Sequence, residues 1–140
     1  MTKRNRFTVV IVLVITLLAV IAPSVGASRV SPWVGQWQTI DVFDGSTNTL
    51  NISFRGGAST YNVIWRETYF TLCSGDPGIG QGIGTEGLPG LQTTMEFICS
   101  GSPAGTFNID FVYNSADDTI ISDEGTASEQ IWVRISPRPW

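Results

Sequence analysis

Histidine is absent from the sequence, and the one lysine, Lys3, stands among the first six residues. A nucleophilic Ser, Cys or Thr needs a base beside it. Beyond residue 27 no His or Lys exists to serve as one, so triad, Ser-Lys and Schiff-base chemistries are excluded there. Cysteine is almost as scarce: Cys73 and Cys99 are the whole complement, and two thiolates without a histidine make a poor zinc site. The phosphate-binding spacings are missing too. "GIGQGIG", Gly78 to Gly84, is neither a G-x-G-x-x-G opening a helix nor a loop ending in Gly-Lys. No stretch after Ala27 combines a 3.6-residue periodicity with helix-forming residues, which argues against a helical fold. Paired-carboxylate catalysis survives these exclusions, but the chain is expected to be no enzyme and to hold no cofactor or metal.

What is present begins with a targeting signal. "MTKRNR" is basic, "FTVVIVLVITLLAVIA" is an apolar run of sixteen, and "PSVGA" places Val25 and Ala27 at the −3 and −1 positions. That is the layout of a secretory signal peptide cut after Ala27. The rival reading, an uncleaved anchor, wants roughly 20 apolar residues. The expected organisation is a signal peptide over 1–27 and one domain over 28–140, secreted or extracytoplasmic, with no membrane span after cleavage. Cleavage leaves five arginines against twelve acids, a net charge of −7. Such a surface repels phosphates, which argues against nucleic acid and anionic membranes as partners. In an exported chain an even cysteine count reads as a disulfide. Joining Cys73 to Cys99 closes a loop of 27 residues, a constraint of about 3.5 kcal/mol in the chain-entropy picture.

From residue 33 onward, short β-rich runs alternate with turns. "WVGQWQTIDVF", "TLNISF", "YNVIWRETYF", the glycine run, "LQTTMEFIC", "TFNIDFVYN", "TIISD" and "EQIWVRI" are separated by hairpin-length connections such as "DGSTN", "RGGAS" and "SGSPAG". Eight such strands predict an all-β fold, an eight-stranded antiparallel up-and-down barrel, with a two-sheet β-sandwich as runner-up. Alternation groups Trp37, Thr39, Asp41 and Phe43 on one face of the first strand, and Leu50, Ile52 and Phe54 on the second. It groups Tyr61, Val63, Trp65, Glu67 and Tyr69 on the third, Met95 and Phe97 on the fifth, and Phe107, Ile109, Phe111 and Tyr113 on the sixth. The glycine run reads as the fourth strand, its isoleucines inward and its glycines outward. Glycines turned inward would instead leave room inside the barrel. If Ile131, Val133 and Ile135 face inward on the last strand, Arg134 points out.

"GQW" at the start of the first strand, ahead of an eight-strand meander with an arginine on its last strand, resembles the calycin group of lipocalins, fatty-acid-binding proteins and avidins. The resemblance implies a lipocalin-like barrel in which a Gly-x-Trp, here Gly35 and Trp37, opens the first strand. A late arginine, for which Arg134 is the candidate, would pack over the tryptophan and close that end. "DGSTNTLNI", "ETYFTLCSG", "FICSG", "YNSADDTIISD" and the final "WVR" also look like a loosely defined set of small secreted bacterial proteins that share a cysteine pair. That likeness implies the fold and export, and no mechanism.

The inward aromatics are the largest constellation. Trp37, Tyr61, Trp65, Tyr69 and Phe97, with Asp41 and Glu67, are the candidate ligand-binding residues, since eight strands enclose either a filled core or one small ligand. Asp41 and Glu67 as a catalytic pair is a lesser reading; hydrogen bonding inside the barrel mouth, or pairing with Arg66 or Arg55, is the plainer one. The acidic run from Asp117 to Glu124 has calcium-friendly oxygens without EF-hand spacing and reads as a solvated turn. The leading expectation is a non-enzymatic binding protein for a small apolar or aromatic ligand. The alternative is an envelope or extracellular interaction protein, or an inhibitor, acting through its loops.

Overall fold

Runs of β-branched and aromatic residues punctuated by Gly, Asp, Asn and Ser become eight strands in the computed structural model, which describes residues 31–42, 44–57, 59–123 and 129–136. The expected signal peptide and Phe43 lie outside them. The strands are β1 (Gly35–Ile40), β2 (Thr47–Phe54), β3 (Thr60–Glu67), β4 (Gly78–Glu86), β5 (Leu91–Cys99), β6 (Ser102–Asn114), β7 (Thr119–Asp123) and β8 (Gln130–Arg134). Each pairs antiparallel with the next. β8 returns to β1 with Trp37 opposite Arg134 and Gln38 opposite Val133, which closes the barrel. The up-and-down barrel is therefore present, and the β1–β8 pairing rules out an open two-sheet sandwich. Between β5 and β6 only Ser100 and Gly101 intervene, at φ 49° and 83°. Two positive φ values in a two-residue loop are what a type I′ hairpin turn requires.

Alternation places one large apolar set inside. Trp37, Leu50, Ile52, Tyr61, Val63, Trp65, Leu91, Met95, Phe97, Ile109, Phe111, Ile120 and Trp132 form a single buried cluster, joined by Trp33 from the segment before β1. Each such side chain contributes about 1.5–3 kcal/mol by leaving water. The cysteines are bonded as expected, with Cα atoms 5.3 Å apart. The bridge ties the 3-10 turn Thr71–Cys73, in the β3–β4 connection, to the end of β5.

Two strands face the other way from the sequence expectation. In β4 the glycines turn inward and Ile79, Gln81 and Ile83 lie exposed outside. The register gives the reason. Gly80 sits between Trp65 and Phe97, Gly82 between Val63 and Met95, and Gly84 between Tyr61 and Thr93. Large side chains of β3 and β5 meet over a bare strand: Trp65 and Phe97 are edge to face with centroids 6.0 Å apart. A Cβ on Gly80 would stand 2.6 Å from Phe97 Cε1, and one on Gly84 2.8 Å from Leu91 Cδ1. The room left by the missing side chains is thus taken by neighbours.

In β8, Ile131 and Val133 are 58% and 55% exposed, as is Ile135 just beyond it at 53%, while Trp132 is fully buried. The indole outweighs the aliphatics in the competition for the interior. It packs edge-on against Trp65 at 4.7 Å, and its Nε1 donates to Ser122 Oγ at 3.0 Å. Arg134 turns inward with it.

A methyl at Gly82 would overlap the carbonyl oxygen of Thr94 and lie 3.1 Å from Met95 Cα, backbone atoms that cannot rotate aside. Gly82→Ala should lower stability by about 1–3 kcal/mol, read from the denaturant midpoint. Gly87→Ala, with nothing within 4 Å of the new atom, should stay within about 0.5 kcal/mol of the parent.

Candidate functional site

The two ends of the barrel differ in chemistry. Where β1 begins, Arg134 holds the chain together. Its Nε donates to both Asp118 carboxylate oxygens at 3.1 and 3.2 Å, its Nη1 to the Val34 carbonyl at 2.6 Å, and its Nη2 to the Pro32 carbonyl at 2.5 Å. The guanidinium carbon lies 3.9 Å over the Trp37 ring, a contact worth up to about 2 kcal/mol when desolvated. Gly35 has φ +149°, and a Cβ there would strike the guanidinium. The glycine of Gly-x-Trp is thus required by the arginine that covers the tryptophan. Trp37 Nε1 donates to the Trp33 carbonyl at 3.0 Å, and Trp33 meets Tyr113 edge-on. This end is sealed.

The opposite rim gathers acids. Asp41 follows β1, Asp44 lies in the β1–β2 hairpin, and Glu67 ends β3 on its buried face. One carboxylate oxygen from each lies within 4.8 Å of the other two. The hairpin holds two of them: the Asp41 amide donates to the Ser46 carbonyl at 2.9 Å, and the Ser46 amide donates to Asp44 Oδ1 at 2.7 Å. Below them Asn48 is 0% exposed, opposite Glu67 on one side and Thr39 on the other. Among the described residues neither amide atom of Asn48 has a hydrogen-bond partner, and neither does Ser46 Oγ. A buried polar group in that state is costly, and one left so in a folded protein calls for an explanation.

Of the candidate residues, the structure brings Asp41 and Glu67 together at this rim. Trp37, Tyr61, Trp65 and Phe97 are packed in the interior. Tyr69 is not among them: it lies past the end of β3, half exposed, its ring against Gly75, where a Cβ would come within 2.7 Å of it. The strand ends at Glu67, so alternation no longer applies two residues on. Asp118, counted as part of a solvated acidic turn, is instead the partner of Arg134 and accepts from Tyr113 Oη at 3.0 Å. Asp44, Ser46 and Asn48 were not expected. Their signal is the oxygen-bearing series Asp-x-x-Asp-Gly-Ser-x-Asn from 41 to 48.

Inside, Trp37, Leu91, Met95, Phe111, Ile120 and Trp132 are 0% exposed, so water touches them neither from outside nor from an internal void. Outside, Val112, Ile121 and Ile131 stand side by side across β6, β7 and β8, with Val133 two residues along. No family model matches the chain, no curated protein is similar to it in sequence, and no solved structure matches it. The architecture, with Arg134 over Trp37, is consistent with a calycin-like barrel.

Tyr61 seals the same end as Arg134. Its hydroxyl accepts from Ser31 Oγ and donates to Glu86 Oε2, both at 3.0 Å. Burial pushes its pKa above the usual phenol value, Ser31 opposes this, and the Glu86 carboxylate reinforces it. The folded state therefore keeps a proton that the unfolded state releases at about pH 10. Stability should be complete below that pH and fall as pH rises through the folded value. In urea titrations, Tyr61→Phe should show a shallower decline above about pH 10 than the parent.

Proposed function

We propose that this chain is an extracytoplasmic, non-enzymatic interaction protein whose contacts are made by its outer surface and loops. The observation that carries the reading is the packed interior. Eight strands enclose either side chains or a ligand, and here Phe97, Trp65 and Trp132 touch in series across the barrel. A protein partner is favoured by what the exterior displays. Ile131 and Val133 continue an apolar row from Val112 and Ile121, and Val42 and Leu88 stand exposed in the β1–β2 and β4–β5 connections. Contiguous exposed apolar surface of this kind marks contact sites more often than it decorates isolated monomers. The disulfide is consistent with an oxidising compartment, and the apolar run of residues 7–22 supplies the means of export.

Trp65 distinguishes this reading from a lumenal ligand site. If it fills a solid core, Trp65→Ala should cost about 3–5 kcal/mol, and an environment-sensitive apolar dye should show no stoichiometric binding to the parent protein. A small stability loss in Trp65→Ala, together with saturable one-to-one dye binding by the parent, would overturn the reading in favour of a small apolar ligand held inside.

A further inference from the structure

We propose that the acidic rim is a binding site for a hard divalent cation of the calcium type. Asp41, Asp44 and Glu67 come from two different segments of the chain, yet one oxygen from each falls within 4.8 Å of the others. Oxygens around a single calcium ion lie about 2.3–2.6 Å from it, so ligands on opposite sides of one ion are about 4.6–5.2 Å apart. Three like charges drawn this close repel one another, and a bound cation reverses the sign of that interaction.

An independent observation points to the same space. Asn48 is completely buried, and among the described residues neither of its amide atoms has a partner. It stands opposite Glu67 in the β2–β3 register and is buried on the same inward face, which puts its amide on the side of the sheet that carries the Glu67 carboxylate. A cation gives Oδ1 a ligand, and a water bound to that cation gives Nδ2 an acceptor. Ser46 Oγ, buried and also without a partner among the described residues, sits in the hairpin between Asp44 and Asn48. The site thus offers up to five oxygens: three carboxylate, one amide and one hydroxyl.

The donor set selects the metal. All donors are hard oxygens, the sequence has no histidine, and both cysteines are tied up in the disulfide, which disfavours zinc and copper. Five protein oxygens, two of them contributed by carboxylates of a hairpin loop, suit the irregular six- to eight-fold shell of calcium. Magnesium demands a near-ideal octahedron and keeps most of its water. The expected affinity is that of extracellular calcium modules, a Kd of about 10⁻⁴–10⁻³ M.

The test is calorimetric titration of the full chain with calcium chloride, set against magnesium chloride at matched ionic strength, with thermal denaturation as a second readout. One saturable calcium site per chain is expected, magnesium binding at least about tenfold more weakly, and a Tm that rises with calcium in the same concentration range. Asp44→Asn keeps the Oδ1 acceptor that the Ser46 amide uses and removes only charge, so the hairpin should fold while calcium affinity falls roughly tenfold or more. Glu67→Gln should act likewise, and Asp117→Asn, in the acidic β6–β7 turn, should change nothing. The proposal is overturned if the parent shows no saturation up to tens of millimolar calcium, a range set well above the expected Kd. It is equally overturned if Asp44→Asn binds as well as the parent, or if Asp117→Asn weakens binding as much as Asp44→Asn does, since either result means diffuse charge screening.

Discussion

Trp65 and Phe97 meet edge to face across Gly80, and the rest of the barrel is arranged around that contact. Neighbouring strands are about 4.8 Å apart, so rings from the two strands flanking β4 reach each other only if β4 carries nothing between them. The glycines of β4 are the geometric condition for a solid interior. Trp132 then meets Trp65 from β8, and Phe70 and Phe107 pack on Phe97. Rings span the cross-section from wall to wall. Dense cores have few alternative packings, so rings stacked in this way favour one arrangement of the interior.

The ends show two opposite ways of handling charge. At the sealed end one arginine is held at all three nitrogens: a carboxylate and two backbone carbonyls accept from it, and an indole face lies against it. Satisfied networks of this kind stiffen a fold and specify one register; here the register is that of β8 against β1. At the acidic rim the Asn48 amide and Ser46 Oγ lack partners among the described residues, and three carboxylates come together. One end is held by an arginine network, and the other gathers carboxylates.

Strand number, order and closure were legible because turn residues recur at regular spacing and period-two alternation is strong in β2, β3 and β5. Facing was legible only where one face was plainly larger. In β3, Tyr61, Val63, Trp65 and Glu67 all turn inward as alternation predicts. In β4 the rule that isoleucine buries before glycine fails, because cross-strand neighbours decide how much volume is available and no property of β4 alone reports it. In β8 a single Trp132 outvotes Ile131 and Val133 for the same reason. At the rim, Glu67 was readable from alternation as the last inward residue of β3, while Asp41 stands one residue past the end of β1. Asp44 was not readable, since it lies in the turn closed by the Asp41–Ser46 hydrogen bond; Asn48 continues the inward face of Leu50 and Ile52, but β2 begins at Thr47, before the run "TLNISF".

The disulfide has a consequence for the order in which the chain assembles. Between Cys73 and Cys99 lie seven of the fifteen glycines and the whole of β4. Glycine gives up more backbone freedom on folding than any other residue, so this is the stretch whose disordered ensemble is widest and whose side chains do least to recruit neighbours. A cross-link acts on that ensemble by removing states from it. Once the bridge forms, the turn that leads into β4 is already beside the end of β5, where Gly78 pairs with Cys99, and β4 needs only to zip along β5 from that point. Closure of the least sticky part of the wall thereby becomes a local event, and the oxidation state of two sulfurs decides whether the conformational search there is short or long.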